Sequence, residues 1–345
     1  MPASRLNSRT VEQEPEGSKM NENRKYRRLA ARLAGLVLLG ISAYASAQGY
    51  PSKSIRMIAP ISPGGGADTA ARLLARVLTD SMGQQLIIDN RPGGGSVLGT
   101  AIAAKATPDG YNILWVNSAH AINDAFARDL PYDSVKDFSP VALLAKMPLI
   151  LIVHQSFPAK SIAELLTAVR ASPGKYNYAS SGIGSGSYLA QEMLKISAKI
   201  DMVHIGYKGA APSLAALLGG EVQMAMVGPL SAKPHLAAGK VRALAVSTPK
   251  RSAAFPDIPA LQEIVPNYDM TNWYGILAPR GTPTVAIERL NREVAAAQRD
   301  KTVVDALAAE GAELVSMTPA QFDEYLRLEV AKYRTLSKSL KMQLR

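Results

Sequence analysis

The segment from Ile55 to Asp68 places the tightest constraint on how this chain can fold. Ile55–Ala59 is apolar and predicts a short buried strand, and Gly64–Gly66 follow as a turn without side chains. Apolar residues at helical spacing then predict a helix over Ala70–Met82, with Asp68 as its N-cap. Because the first N–H groups of a helix have no intrahelical acceptor, a strand, a bare turn and a helix start together predict an anion site.

The pattern does not by itself identify the anion. Thr69 stands where the third glycine of the dinucleotide fingerprint G-x-G-x-x-G is required, and the nucleoside-triphosphate motif G-x-x-x-x-G-K-[ST] does not occur in the sequence. An ordinary strand-to-helix turn in an α/β fold remains an alternative interpretation at this point.

Composition excludes several classes of site. The chain has 345 residues, no cysteine and a formal net charge of +11. The missing cysteines exclude disulfides, thiolate metal sites and a cysteine nucleophile. The positive charge is scattered, without a Lys/Arg stripe interleaved with aromatic residues, so we predict no nucleic-acid partner.

The N-terminal region has the pattern of a secretory signal peptide. A basic segment, Arg24–Arg28, precedes the apolar run Leu33–Ala43 and the small-residue site Ala45-Ser46-Ala47. The apolar run is too short to span a bilayer comfortably. We therefore predict that residues 1–47 are an extension and signal peptide, cleaved after Ala47, and that the exported protein is periplasmic.

Beyond this region, predicted strands alternate with predicted helices, which favours an α/β fold with mostly parallel sheets. Two further turns rich in glycine or serine stand at strand-to-helix junctions, in residues 91–96 and 180–187. The loop of residues 118–123 follows a third predicted strand, at the edge where open α/β sheets place ligands.

The sequence contains no recognisable catalytic or metal constellation. The histidines do not stand at metal-ligand spacing, and no G-x-S-x-G nucleophile elbow occurs. We therefore predict no metal, no cofactor and no enzymatic activity. Backbone N–H groups and serine hydroxyls in glycine-rich loops can bind a carboxylate without a formal countercharge, which favours a binding protein.

The chain resembles the Bug-type extracytoplasmic solute receptors, the TctC-like substrate-binding proteins of tripartite tricarboxylate transporters. The resemblance covers Tyr50 to about Tyr333. It rests on the order and spacing of short motifs: Pro60-x-x-Pro-Gly-Gly-x-x-Asp68, Asp89-Asn-Arg-Pro-Gly93, Pro108-Asp-Gly-Tyr111, Tyr178-Ala-Ser-Ser-Gly-x-Gly-Ser185, Tyr207-Lys-Gly209, Leu218-Gly-Gly220, Arg242-Ala-Leu-Ala-Val246 and Trp273-Tyr-Gly275. Four positions depart from the usual family pattern: Gly66, Tyr188, Gly206 and Gln223.

The resemblance implies a two-lobed, type II-like periplasmic binding protein fold with a cleft between the lobes. Lobe 1 would comprise residues 48–147 and 272–345, and lobe 2 residues 148–271. A carboxylate would be held between the first glycine turn and the loop that opens lobe 2. The implied ligand-binding residues are Ile61, Ser62, Gly64, Gly65, Asp68, Ser180, Ser181, Gly184, Ser185 and Tyr207.

The resemblance further implies a monomeric receptor that captures a small organic carboxylate and delivers it to the membrane subunits of a tripartite tricarboxylate transporter. An exported sensor that presents the bound carboxylate to a signalling partner would need the same cleft and remains an alternative. An exported enzyme acting on carboxylates is a third alternative, although the sequence offers no convincing general base for one.

Overall fold

The computed structural model describes residues 49–127 and 129–340, and Tyr50 onward forms one compact unit. The predicted extension, signal peptide and cleavage after Ala47 lie outside the described residues. Among the described helices, none is both long enough and apolar enough to cross a membrane.

The described strands form one six-stranded and one five-stranded sheet. The first has the order β11-β4-β10-β3-β1-β2, and the second has the order β7-β6-β8-β5-β9. The strands are β1 (Ile55–Ala59), β2 (Leu86–Asn90), β3 (Asn112–Asn117), β4 (Phe138–Met147), β5 (Ile150–His154), β6 (Asn177–Ser180), β7 (Val203–Gly206), β8 (Met224–Val227), β9 (Val241–Val246), β10 (Asn272–Pro279) and β11 (Glu313–Leu314).

Helices flank both sheets. They are α1 (Gly66–Met82), α2 (Val97–Ala104), α3 (Ala119–Phe126), α4 (Ile162–Ala171), α5 (Gly186–Ala198), α6 (Ala210–Leu218), α7 (Pro229–Ala237), α8 (Thr284–Ala297), α9 (Lys301–Ala308) and α10 (Pro319–Leu340). Single 3₁₀ turns occupy Gly94–Ser96 and Leu261–Glu263.

The chain passes between the sheets twice. It leaves the first sheet after β4 and enters the second with β5, and it returns after β9 to form β10. We call the part built on the six-stranded sheet the first half, and the part built on the five-stranded sheet the second half. An apolar core lies within each half, as where Leu74 and Leu78 of α1 are buried together with Trp115 of β3.

The α/β class with two sheets is confirmed, but the expectation of mostly parallel sheets is wrong. Strands β1, β2 and β3 are parallel, whereas β10 is antiparallel to both β3 and β4, and β5 is antiparallel to β8 and β9. The antiparallel strands result from the two passages of the chain between the halves. Strands β5 and β10 each begin at the sheet edge where the chain arrives from the other half. They therefore run away from that edge, while β1, β3 and β8 run toward it.

Candidate functional site

A cavity of about 930 Å³ lies between the two halves. Its walls include residues at the carboxyl ends of β1, β3 and β8 and at the starts of α1, α3, α5 and α6. In open α/β sheets, ligands bind beyond the carboxyl ends of parallel strands, and helix starts at the same edge direct N–H groups toward the ligand. The topology therefore makes this cavity the candidate ligand site.

The first glycine turn opens α1 earlier than the sequence pattern indicates. The helix begins at Gly66, and its N-cap is Gly65, in an extended conformation and without a side-chain capping bond. The N–H of Gly66 donates to the Ser231 hydroxyl over 2.8 Å. The next two residues, Ala67 and Asp68, line the cavity, and their N–H groups precede the first possible intrahelical bonds. These two donors are available to an anion in the cavity.

Asp68 fixes the shape of this turn and is not the N-cap, so that prediction is wrong. The side chain is buried in the first turn of α1. Its Oδ2 accepts hydrogen bonds from the Gly64 N–H at 3.0 Å and from Arg72 Nε at 2.9 Å, and its Oδ1 accepts one from Asn90 Nδ2 at 2.9 Å. Although burial raises the pKa of Asp68, the bonds from Arg72, Gly64 and Asn90 together outweigh burial and lower it. The carboxylate is therefore ionised and already fully paired.

Serine hydroxyls organise the loop that opens α5 in the second half. Ser185 caps this helix: its Oγ accepts a hydrogen bond from the Tyr188 N–H and donates one to the Gly182 carbonyl at 2.7 Å. The Ser187 hydroxyl accepts from the Ser181 N–H at 3.0 Å. These bonds close the loop over itself and hold Ser181, Ser185 and Ser187 along the cavity wall.

Seven of the ten residues predicted for the site line the cavity, namely Ile61, Ser62, Gly65, Asp68, Ser181, Ser185 and Tyr207. Gly64, Ser180 and Gly184 are not part of the lining. Gly64 forms the turn behind the wall and donates its N–H to Asp68. The side chain of Ser180 is fully buried, and its Oγ is hydrogen-bonded to His204 Nε2 at 2.7 Å. Gly184 packs against Gly95 of the first half.

The two halves touch at residues that line the cavity. A Cβ atom placed on Gly95 would lie 2.1 Å from the Ile183 carbonyl oxygen, and one placed on Gly209 would lie 1.6 Å from Ser62 Oγ. The Gly66–Ser231 hydrogen bond is a third contact between the halves. Glycine at positions 95 and 209 therefore permits an approach of the halves that any side chain there would prevent.

Further polar residues of the cavity are distant in the chain and were not predicted. Ser118 Oγ donates to Asn272 Oδ1 over 2.8 Å, which joins the end of β3 to the start of β10. Tyr274 and Ser231 also line the cavity. The position of residues 118–123 at a strand end was a usable signal for Ser118, but no local pattern singles out Asn272, Tyr274 or Ser231.

The cavity offers many more hydrogen-bond donors than charges. Asp68, Asp129 and Lys208 are the charged residues of the described lining. Asp68 is paired as described above, and Asp129 and Lys208 are exposed. The Ser62 hydroxyl is buried without a hydrogen-bond partner among the described residues. Because unpaired buried polar groups are costly, this hydroxyl and the free N–H groups favour a ligand rich in acceptor oxygens.

Known proteins share this architecture along most of the chain. The periplasmic binding protein BugD has a TM-score of 0.83 and is 28% identical, covering 86% of this chain and all of BugD. Rpa4515 of R. palustris, solved with adipate, has a TM-score of 0.82 and is 33% identical, covering 85% of this chain and 99% of that one. MatC (Rpa3494) of Rhodopseudomonas palustris, solved with bound malate, has a TM-score of 0.80 and is 30% identical, covering 83% of this chain and 99% of MatC.

The match to a family model is equally extensive. Residues 70–342 match the TctC model, described as "Tripartite tricarboxylate transporter family receptor". The resemblance drawn from the short motifs is thereby confirmed, as is the two-lobed periplasmic binding protein fold. The family and its structural neighbours are solute-binding receptors. The chain therefore belongs to the TctC family of tripartite tricarboxylate transporter receptors and is a Bug-type solute receptor.

Proposed function

We propose that the protein is a periplasmic receptor that binds a small organic carboxylate and delivers it to the membrane subunits of a tripartite tricarboxylate transporter. The observation that carries the proposal is the cavity wall itself. The starts of α1 and α5 face one cavity from opposite halves, with N–H and hydroxyl donors and without a free carboxylate of their own. The relatives solved with adipate and malate support the same ligand class.

The carboxylate would lie between the first glycine turn and the serine loop. In the first half, Ile61, Ser62, Gly65 and Asp68 would contact it, with Asp68 contributing its N–H while its carboxylate holds the turn. In the second half, Ser181, Ser185 and Tyr207 would contribute. Gly64, Ser180 and Gly184 would support these groups from behind the wall. Neutral donors bind a carboxylate with moderate affinity, which suits a receptor that must release its ligand.

The two halves would act as hinged lobes, with residues 48–147 and 272–345 forming one lobe and residues 148–271 the other. The described contacts between the halves then correspond to the closed state. A ligand that bridges both walls favours closure because it makes more contacts there than in an open state. We propose a monomer, since each cavity is complete within one chain.

A thermal-shift screen of the purified protein tests this proposal. The panel contains adipate, malate, aromatic monocarboxylates, tricarboxylates and the amide of each acid. We expect one acid class to raise the melting temperature, because a ligand that binds only the folded state stabilises it by about 2.7 kcal/mol at a hundredfold excess over Kd. The matching amide should give no shift. A shift with neutral or cationic solutes and none with acids would refute the carboxylate site.

A further inference from the structure

Glu310 is a buried carboxyl group without a conventional partner. It follows α9 and is 0% exposed. Among the described residues its carboxyl oxygens make no well-formed hydrogen bond, although the Tyr274 hydroxyl is near enough to lower the pKa of Glu310 in part. An ionised carboxylate in such a place loses its hydration without replacement, which is among the most costly arrangements in a protein interior. Burial therefore favours the protonated form of this carboxyl group over the ionised one.

Glu310 lies next to a contact between the two halves. A Cβ atom placed on Gly66 would lie 3.3 Å from Glu310 Oε1, 3.0 Å from Ser231 Oγ and 3.7 Å from Leu230 Cβ. Gly66 and Glu310 belong to the first half, whereas Leu230 and Ser231 belong to the second. Glu310 consequently lies beside the point where α1 and α7 meet, directly behind the turn that lines the cavity.

The charged surroundings of Glu310 do not compensate its burial. Burial raises the pKa of Glu310 to about 7, and the Tyr274 hydroxyl on β10 lowers it only in part. Asp68 on α1 is paired with Arg72, and Lys233 on α7 is exposed. Other ionisable groups on the elements around it are His235 on α7, the exposed ion pair Lys301–Asp305 on α9, and exposed Glu313 on β11. No cation among the described residues forms an ion pair with Glu310.

We propose that Glu310 is a proton site linked to closure, so that the receptor takes up a proton from solvent together with its carboxylate ligand. This inference rests on the proposed function, because it requires an open state that the ligand converts into the closed one. Opening would separate Leu230 and Ser231 from Gly66 and admit water to Glu310, where an ordinary carboxyl group is ionised at neutral pH.

The sign of the pH dependence follows from the two states. The pKa of Glu310 is higher in the closed state, about 7, than the ordinary value of 4.5 expected on opening. Protonation of Glu310 therefore stabilises the closed state fully below pH 4.5, and this stabilisation is lost as the pH rises toward about 7. Between these values the affinity for the ligand falls by up to about tenfold per pH unit, and above pH 7 it levels off.

Isothermal titration calorimetry tests the inference on the whole exported protein. Adipate or malate, whichever gives the larger thermal shift, is titrated at about pH 6 in two buffers of different ionisation enthalpy, which counts the protons taken up on binding. The wild type should take up close to one proton, and E310Q almost none. The affinity of the wild type should fall with pH between about 5.5 and 7, while that of E310Q stays nearly constant.

Glu329→Gln is the matched control. Glu329 is also a buried glutamate whose pKa is raised by burial, but its Oε2 accepts a hydrogen bond from Trp273 Nε1, and it lies outside the cavity lining. E329Q should keep the proton uptake of the wild type. Binding of the acid without proton uptake in the wild type, or with equal uptake in E310Q, would overturn the proton site and leave the proposed function intact. Absence of binding by any carboxylate would refute both.

Discussion

Replacing Gly95 by alanine should prevent closure without unfolding either half. The added Cβ atom would lie 2.1 Å from the Ile183 carbonyl oxygen and 3.0 Å from Gly184 Cα, and both are backbone atoms of the opposite half. Backbone atoms in a packed loop cannot move aside as a flexible side chain can, so the halves must separate by about 1 Å to reach a normal contact distance.

The energetic cost follows from that displacement. An opening of about 1 Å would stretch the 2.8 Å Gly66–Ser231 bond beyond hydrogen-bond range. Losing this bond and two ligand hydrogen bonds across the cavity costs about 1 kcal/mol each, so closure loses about 3 kcal/mol. We therefore expect G95A to weaken carboxylate binding roughly a hundredfold.

The neighbouring Gly94 supplies a matched control. Its φ of 57° is close to the 61° of Gly95, so alanine at either position meets the same left-handed strain of roughly 1–2 kcal/mol. A Cβ atom on Gly94 would meet only Val97 Cβ, at an ordinary 3.5 Å. Calorimetry should give near wild-type Kd for G94A, and thermal unfolding of the two ligand-free variants should be alike. Wild-type affinity in G95A, or an equal loss in G94A, would refute the closure argument.

Three further outcomes follow from the contacts around the first glycine turn. Asp68→Asn should lower the free energy of unfolding by about 2–3 kcal/mol in urea titrations, because an amide cannot accept the bonds from Gly64, Asn90 and Arg72 together. Because the pKa of Asp68 is lowered by folding, wild-type stability should fall as pH drops below about 4, and the difference from D68N should shrink there; a constant difference would contradict this. Ser231→Ala should weaken ligand binding about fivefold in calorimetry with unchanged ligand-free stability, because it removes only the acceptor of the Gly66 N–H across the cavity; an unaltered Kd would exclude a role in closure.

Local sequence patterns predict most of the individual elements. The apolar run Ile55–Ala59 is a strand as expected, and the glycine turn after it leads into a helix as expected. Ends are less well predicted: α1 begins at Gly66, not at Ala70, because residues 66–69 are already helical and extended Gly65 is the N-cap without a side-chain capping bond. The existence and type of these elements depend on residues a few positions apart, so the local sequence contains the information needed to predict them.

Two elements near the middle of the chain escape the same reasoning. Strand β4, Phe138–Met147, is buried along nearly its whole length and contains Pro140, so it lacks the alternation that identifies a half-exposed strand. Helix α3, Ala119–Phe126, occupies the region where the pattern predicts only a ligand loop. Both elements are stabilised by packing against the return segment of the chain, β10 and α10 respectively, and local propensity does not report such packing.

The sequence alone determined the glycine turns, the donor-rich character of the site and the family, because these depend on residues adjacent in the chain. Only the tertiary structure decided which groups share the cavity. It brings Ser231 to Gly66 across 165 positions and Asn272 to Ser118 across 154, and it buries Glu310 behind the turn. Such contacts arise from how two sheets pack and where the chain crosses between them, and pairing over these separations leaves no periodic signal in the local sequence.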